Sequence, residues 1–181
     1  MNKRTLGCLT EEHLMLFGMI TQWFARHEVL VHQIMGIVSR SDATSMKLLT
    51  NGLSFNVKRD ALFNLLRHRA VPLDRIDQVR RYLEILNTFT PLRSDIAHSG
   101  WIEAKSANST QPAWLSHGPV AAIKAVHDID EHAKTFIEDY QDQVTYTLDE
   151  LNEVVDNLEV NYTRFRAYVT EIWPASGSDD T

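Results

Sequence analysis

The chain has 181 residues, 44% hydrophobic and 23% charged, with a formal net charge of -6. This length suits one domain with a real core, and the ordinary apolar and charged fractions imply neither disorder nor a membrane protein. No run approaches the roughly 18 uncharged apolar residues of a membrane span, and net negative charge argues against a general nucleic-acid binder, because phosphate neutralisation dominates that affinity.

The single cysteine, Cys8, excludes an internal disulfide and fits a reducing compartment. Lys3 and Arg4 could open a signal peptide, but Glu11, Glu12 and His13 interrupt any apolar stretch behind them. The expectation is therefore a cytoplasmic protein, with residues 1–9 as an N-terminal tail. From Leu14 to Val38 the residues Leu16, Phe17, Ile20, Trp23, Phe24, Leu30, Val31, Ile34, Ile37 and Val38 recur at three- and four-residue steps, which predicts one long amphipathic helix. Thr10 is placed as its N-cap, with Glu11 and Glu12 in the first turn. "SRSDATS" breaks the pattern, and a short helix "ATSMKLLTN" runs towards Gly52. A helix from about Ser54 to Arg69 buries Phe55, Leu62, Phe63, Leu65 and Leu66, and Pro72 marks the next boundary.

From about Leu73 the steps Ile76, Val79, Leu83, Leu86, Phe89 and Leu92 carry a further helix into "LRSDIAH". Pro91 should kink or restart it, since proline lacks the N–H and clashes with the preceding turn. Residues 99–126 show no helical period and read as an irregular insert with a short hairpin, and 127–146 are ambiguous. "TLDE" at 147–150 is a capping box, opening a helix that buries Leu148, Leu151, Val154, Val155, Leu158, Tyr162, Phe165 and Val169 and ends near Trp173. The fold class expected is all-α, an antiparallel helical bundle with an irregular insert, in one domain over 10–173 and a tail over 174–181.

Charge is unevenly spread. Residues 58–93 hold eight arginines and lysines against four acids, a balance of +4, whereas 127–160 hold eleven acids against Lys134, a balance of -10. Solvated helix faces account for such blocks by default. The basic one, however, runs into "LRSDIAHSGW", where an apolar pattern ends in arginine, serine, aspartate and histidine before stopping at Ser-Gly.

Arg93, four intervening residues and His98 match the R-x(4–6)-H motif of the HEPN superfamily, and "RSDIAHSGW" resembles the "RN-x-IAHG" form found there. A first helix with Trp23 and Glu28, the "LSF…K…LLR" pattern of Leu53, Ser54, Phe55, Lys58, Leu65, Leu66 and Arg67, and the late "YTLDEL" extend the resemblance to bacterial HEPN-type proteins over about 10–170. Ser94 stands where the family often has asparagine, keeping a hydroxyl in place of the amide. The resemblance implies a homodimer whose facing Arg/His motifs form a composite site for metal-independent RNA cleavage, without a cofactor, in a toxin or phage-defence setting where an antitoxin protein is a candidate partner. The alternative is a catalytically silent HEPN module that binds RNA, a nucleotide or a protein partner.

The residue types suit that chemistry. A histidine titrating near 6.5 can take the proton of a ribose 2′-OH, and an arginine offers phosphate a permanently charged, planar fork of donors. His98 is the expected base and Arg93 the charge stabiliser. On a regular helix, positions five apart point about 140° from one another. Convergence on one phosphate therefore needs either a helix that ends near Ala97 or a site completed across subunits. Asp95 and Ser94, three and four residues before His98, are its candidate supports. Lys58, Arg67 and Arg69 are candidate RNA contacts, although the cations of "RHR" at 67–69 also suit a helix C-terminus. The ligand types in "HDIDEH" at 127–132 match neither a helical zinc pair nor a calcium loop, so no metal site is expected. His27 falls among core residues and reads as a buried, hydrogen-bonded histidine, and Trp23 as core.

Overall fold

The structure, a computed structural model, describes residues 9–99, 101–103, 109–112 and 145–173. Among them are six helices: α1 (Glu11–Ser39), α2 (Ala43–Leu49), α3 (Phe55–His68), α4 (Leu73–Thr88), α5 (Thr90–His98) and α6 (Leu148–Ile172). Three short strands, β1 (Trp101–Glu103), β2 (Ser109–Pro112) and β3 (Tyr146–Thr147), form one sheet in that order. The fold is an all-α helical bundle carrying this small sheet. No helix among the described residues is long and apolar enough to cross a membrane. The expected tails, most of the insert and "HDIDEH" lie outside the described residues.

The chain divides into two compact units, one of residues 1–21 and 89–156, the other of 22–88 and 157–181, so α1 and α6 each contribute to both. In the second unit Leu30, Val31, Ile34 and Val38 of α1 share a core with Leu62, Phe63 and Leu66 of α3, Ile76, Val79 and Leu83 of α4, and Phe165 and Val169 of α6. These are the residues whose three- and four-step recurrence predicts the helices. Ile37, expected in the same stripe, is 44% exposed. It lies about 100° around the helix from Val38, and Met35 fills the inward position instead.

Local chemistry sets the boundaries. The Thr10 hydroxyl accepts from the backbone N–H of His13 at 3.3 Å, and the His13 imidazole takes the Thr10 N–H in return at 3.3 Å. This is the reciprocal arrangement of a capping box with histidine in the acidic position. α1 ends where Ser41 N–H reaches the Gly36 carbonyl (2.8 Å) and Arg40 N–H that of Ile37 (3.2 Å), with Arg40 at φ 62. Gly36 is required there, because a Cβ would stand 2.9 Å from the Ser41 carbonyl oxygen. α2 stops at Leu49 rather than near Gly52, its last carbonyls taken up by the Thr50 cap. Ser54 caps α3. "TLDE" forms its box in full: Thr147 N–H donates to Glu150 Oε2 at 2.8 Å, and Glu150 N–H to Thr147 Oγ1 at 3.1 Å.

Within the insert, β1 and β2 pair as the expected antiparallel hairpin, Trp101 opposite Pro112 and Glu103 opposite Thr110. β3 adds antiparallel to β2, with Thr110 opposite Tyr146. This third strand lies in the stretch whose pattern is ambiguous, two residues long and without an alternation to read.

Candidate active site

Pro91 restarts the helix as expected: α4 ends at Thr88, Phe89 is the N-cap of α5, and proline occupies the first turn, where no N–H is needed. Arg93 N–H closes the first turn onto the Phe89 carbonyl at 3.1 Å. At the other end Ser99 N–H bonds the Asp95 carbonyl at 2.9 Å, and the chain then turns extended.

The nine residues of α5 thus carry the whole motif, His98 included. Leu92 (5% exposed) and Asp95 (3%) face inward, Arg93 and Ser94 are half-buried, and His98 is exposed. Because helical hydrogen bonding continues through the Ser99 N–H, Arg93 and His98 keep the divergence of about 140° that their spacing imposes. The early helix end that would let them converge within one chain is therefore absent.

Asp95 is the buried member. Its Oδ2 accepts a long hydrogen bond, 3.4 Å, from the hydroxyl of Tyr146 on β3. Burial and the neighbouring Asp95 carboxylate push the Tyr146 hydroxyl well above its ordinary range, so it stays a donor throughout the physiological pH range. Trp101 lies behind it, ring centroids 6.0 Å apart, and packs on Phe17 of α1 at 4.5 Å. The base of the motif helix is thus an aromatic wall with one carboxylate set into it.

Tyr146 and Trp101 are the residues that sequence reasoning missed at this site. Tyr146 stands next to the capping box, which fixes its place in the chain, but its partner is 51 positions away and no local pattern links the two.

The remaining candidates lie in the second unit. Lys58 is buried, 9% exposed, with its ammonium 3.2 Å from Glu28 Oε2. Arg67 is exposed and reaches Asn64 Oδ1 at 3.5 Å, and Arg69, capping α3, reaches the Ser39 carbonyl at 3.4 Å. His27 is fully buried, as its position among core residues predicts. Its Nδ1–H donates to the Trp23 carbonyl at 2.7 Å, and its Nε2 accepts from Asn161 at 3.2 Å. Trp23 is only partly buried, with the Arg26 guanidinium 4.5 Å over its ring. Among the described residues no three histidine, cysteine or acidic side chains gather as a metal set would. No family model matches the chain, and neither does any curated protein or solved structure.

Proposed function

We propose that this chain is a metal-independent endoribonuclease of HEPN type, acting on RNA in the cytoplasm as a two-fold dimer. The observation that carries the reading is the placement of "RSDIAH": a short, proline-restarted helix anchored inward by Leu92 and Asp95, with Arg93 half-buried and His98 exposed. The residue types of the motif, a half-buried cation and an exposed imidazole on this helix, are those the proposed chemistry uses.

In the proposed reaction His98 takes the proton of a ribose 2′-OH, whose oxygen attacks phosphorus as the bond to the 5′-oxygen breaks. Arg93 holds the non-bridging oxygens through charge-assisted hydrogen bonds. The leaving 5′-oxygen takes a proton from the His98 of the second copy, giving a 2′,3′-cyclic phosphate and a 5′-OH. Two-fold symmetry brings each motif opposite its own copy, which answers the divergence of Arg93 and His98 within one chain. An antitoxin partner and a toxin or phage-defence role belong to the same proposal. The divergence also favours the second reading, a catalytically silent module binding RNA, a nucleotide or a protein partner, should the chain act as a monomer.

Purified protein incubated with pooled RNA in excess EDTA should yield cyclic-phosphate ends, and light scattering should give the dimer mass. Activity that requires added magnesium or manganese, or a monomer at micromolar concentration, would remove the composite site.

A further inference from the structure

We infer that the cleft between α3 and α4 is a phosphate-binding site that holds a single strand of RNA through its backbone. The inference rests on the ribonuclease reading only for the identity of the ligand, since the anion chemistry stands on the cleft itself.

The cleft has a volume of about 620 Å³, within the ~300–1,000 Å³ of ordinary ligand sites. Arg59 and Arg67 line it from α3 and Arg80 from α4. Two carboxylates also line it, Asp60 and Glu84, and Asp77 just outside the lining pairs with Arg80, so Arg67 is the cation of the cleft with no carboxylate bonded to it among the described residues. Three of the eight cations of the basic stretch meet here, in a chain whose net charge is -6. General affinity for nucleic acid is disfavoured by that overall charge, and a local site is what remains.

The arginines keep donors to spare. A guanidinium has five N–H groups. Arg59 spends its Nε and one Nη2 hydrogen on a single oxygen of Asp60, at 3.1 and 3.0 Å. Arg80 commits Nη1 to Asp77 at 2.7 Å while its guanidinium carbon lies over the Phe63 ring, 5.4 Å from the ring centre. Among the described residues Arg67 makes the 3.5 Å contact with the Asn64 amide alone, at the limit of a useful hydrogen bond. Each arginine therefore has N–H groups available to phosphate.

Spacing argues for a strand over a single phosphate. Arg59 and Arg67 are eight residues apart on α3, two positions of one i, i+4 row, and so about 12 Å apart along the axis. Asn64 and Asn87, also in the lining, add amides that can both donate to and accept from a base edge. Contacts of this kind to phosphate hold a strand without reading its sequence.

The test uses the full chain and a fluorescent 2′-O-methyl RNA 12-mer, which cannot be cleaved because its nucleophile is capped. Anisotropy should show Arg67→Ala weakening binding about tenfold and Arg59→Ala with Arg67→Ala weakening it further. Arg67→Lys should recover part of the loss. Arg26→Ala, a cation of the same unit placed over Trp23, should stay within about twofold. Each lost arginine should lower the slope of log affinity against log salt by about 0.7.

Equal melting temperatures keep the comparison valid, since the ion pairs of Arg59 and Arg80 are solvent-exposed. Competition by AMP at concentrations comparable to the oligonucleotide would keep the phosphate site and assign it to a free nucleotide. Unchanged affinity in the arginine variants, or no binding by wild type, would overturn the cleft. Failure of the ribonuclease reading looks different: binding through the cleft with no cleavage of natural RNA leaves the cleft and removes the enzyme, whereas cleavage with cleft-independent affinity does the reverse.

Discussion

At the residue scale, three buried histidines are held towards the neutral form, His27 and His13 by partners that use a ring nitrogen as acceptor and His32 by burial. His27 offers Nε2 as an acceptor to an Asn161 N–H, so a proton there would face a donor. His32 Nε2 lies 3.0 Å from the Thr50 hydroxyl, whose own hydrogen goes to the Met46 carbonyl, which makes the histidine the donor. His13 accepts at Nδ1 from Thr10, and its buried Nε2 has no hydrogen-bond partner among the described residues. Burial lowers all three below the ordinary value of 6.5, with Lys58 adding to the effect at His32. The folded state then binds fewer protons than the unfolded chain. The stability that these groups contribute is full above pH about 6.5 and is lost as pH falls through the depressed values, by at most about 1.4 kcal/mol per pH unit for each histidine. Urea midpoints measured between pH 7.5 and 5 should fall on acidification, and His27→Gln should flatten part of that fall. A midpoint that rises towards pH 5 would contradict the lowered proton affinity of these buried imidazoles. The buried character of His27 is legible in the sequence from its place among apolar residues. Its partner Asn161 is not, because α6 shows no local sign that one of its polar positions turns inward.

At the scale of elements, the helices are legible because periodicity and caps agree. Thr10, Ser54 and Thr147 each stand where a helix begins, and Pro91 restarts the one that carries the motif. The helix stops are less so. α3 closes with Val71 N–H on the Leu66 carbonyl and Ala70 N–H on that of Arg67, both at 3.0 Å. This is a Schellman motif, which puts its C′ residue in the left-handed region. Glycine usually marks that position, and here Ala70 holds it at φ 52, as Arg40 does at φ 62 after α1. A left-handed alanine costs about 1–2 kcal/mol, offset in part by the greater freedom of glycine in the unfolded chain. Ala70→Gly should therefore raise stability by up to about 1 kcal/mol, visible as a higher urea midpoint with an unchanged slope. A loss of stability would mean that the strain assigned to this turn is not there. β3 escaped the sequence for a different reason: two residues give no alternation, and they are a strand only because β2 lies beside them.

At the scale of the whole molecule, the all-α class and the helical order were readable, whereas contacts between distant segments were not. The motif could be placed at the end of a helix, but that Asp95 turns inward onto Tyr146 of β3 is a product of the tertiary fold. The same holds for charge. The sequence shows a basic stretch, and only the fold separates a buried, paired Lys58 from an exposed Arg67. The central claim concerns His98, and the most direct measurement compares His98→Ala with wild type for cleavage of natural RNA in EDTA and for affinity to the uncleavable 12-mer. A general base contributes about 10²–10⁴-fold to rate and little to ground-state binding. The account predicts loss of cyclic-phosphate ends by at least that lower factor with affinity nearly unchanged. Cleavage at the wild-type rate by His98→Ala, or a loss confined to affinity, would contradict it.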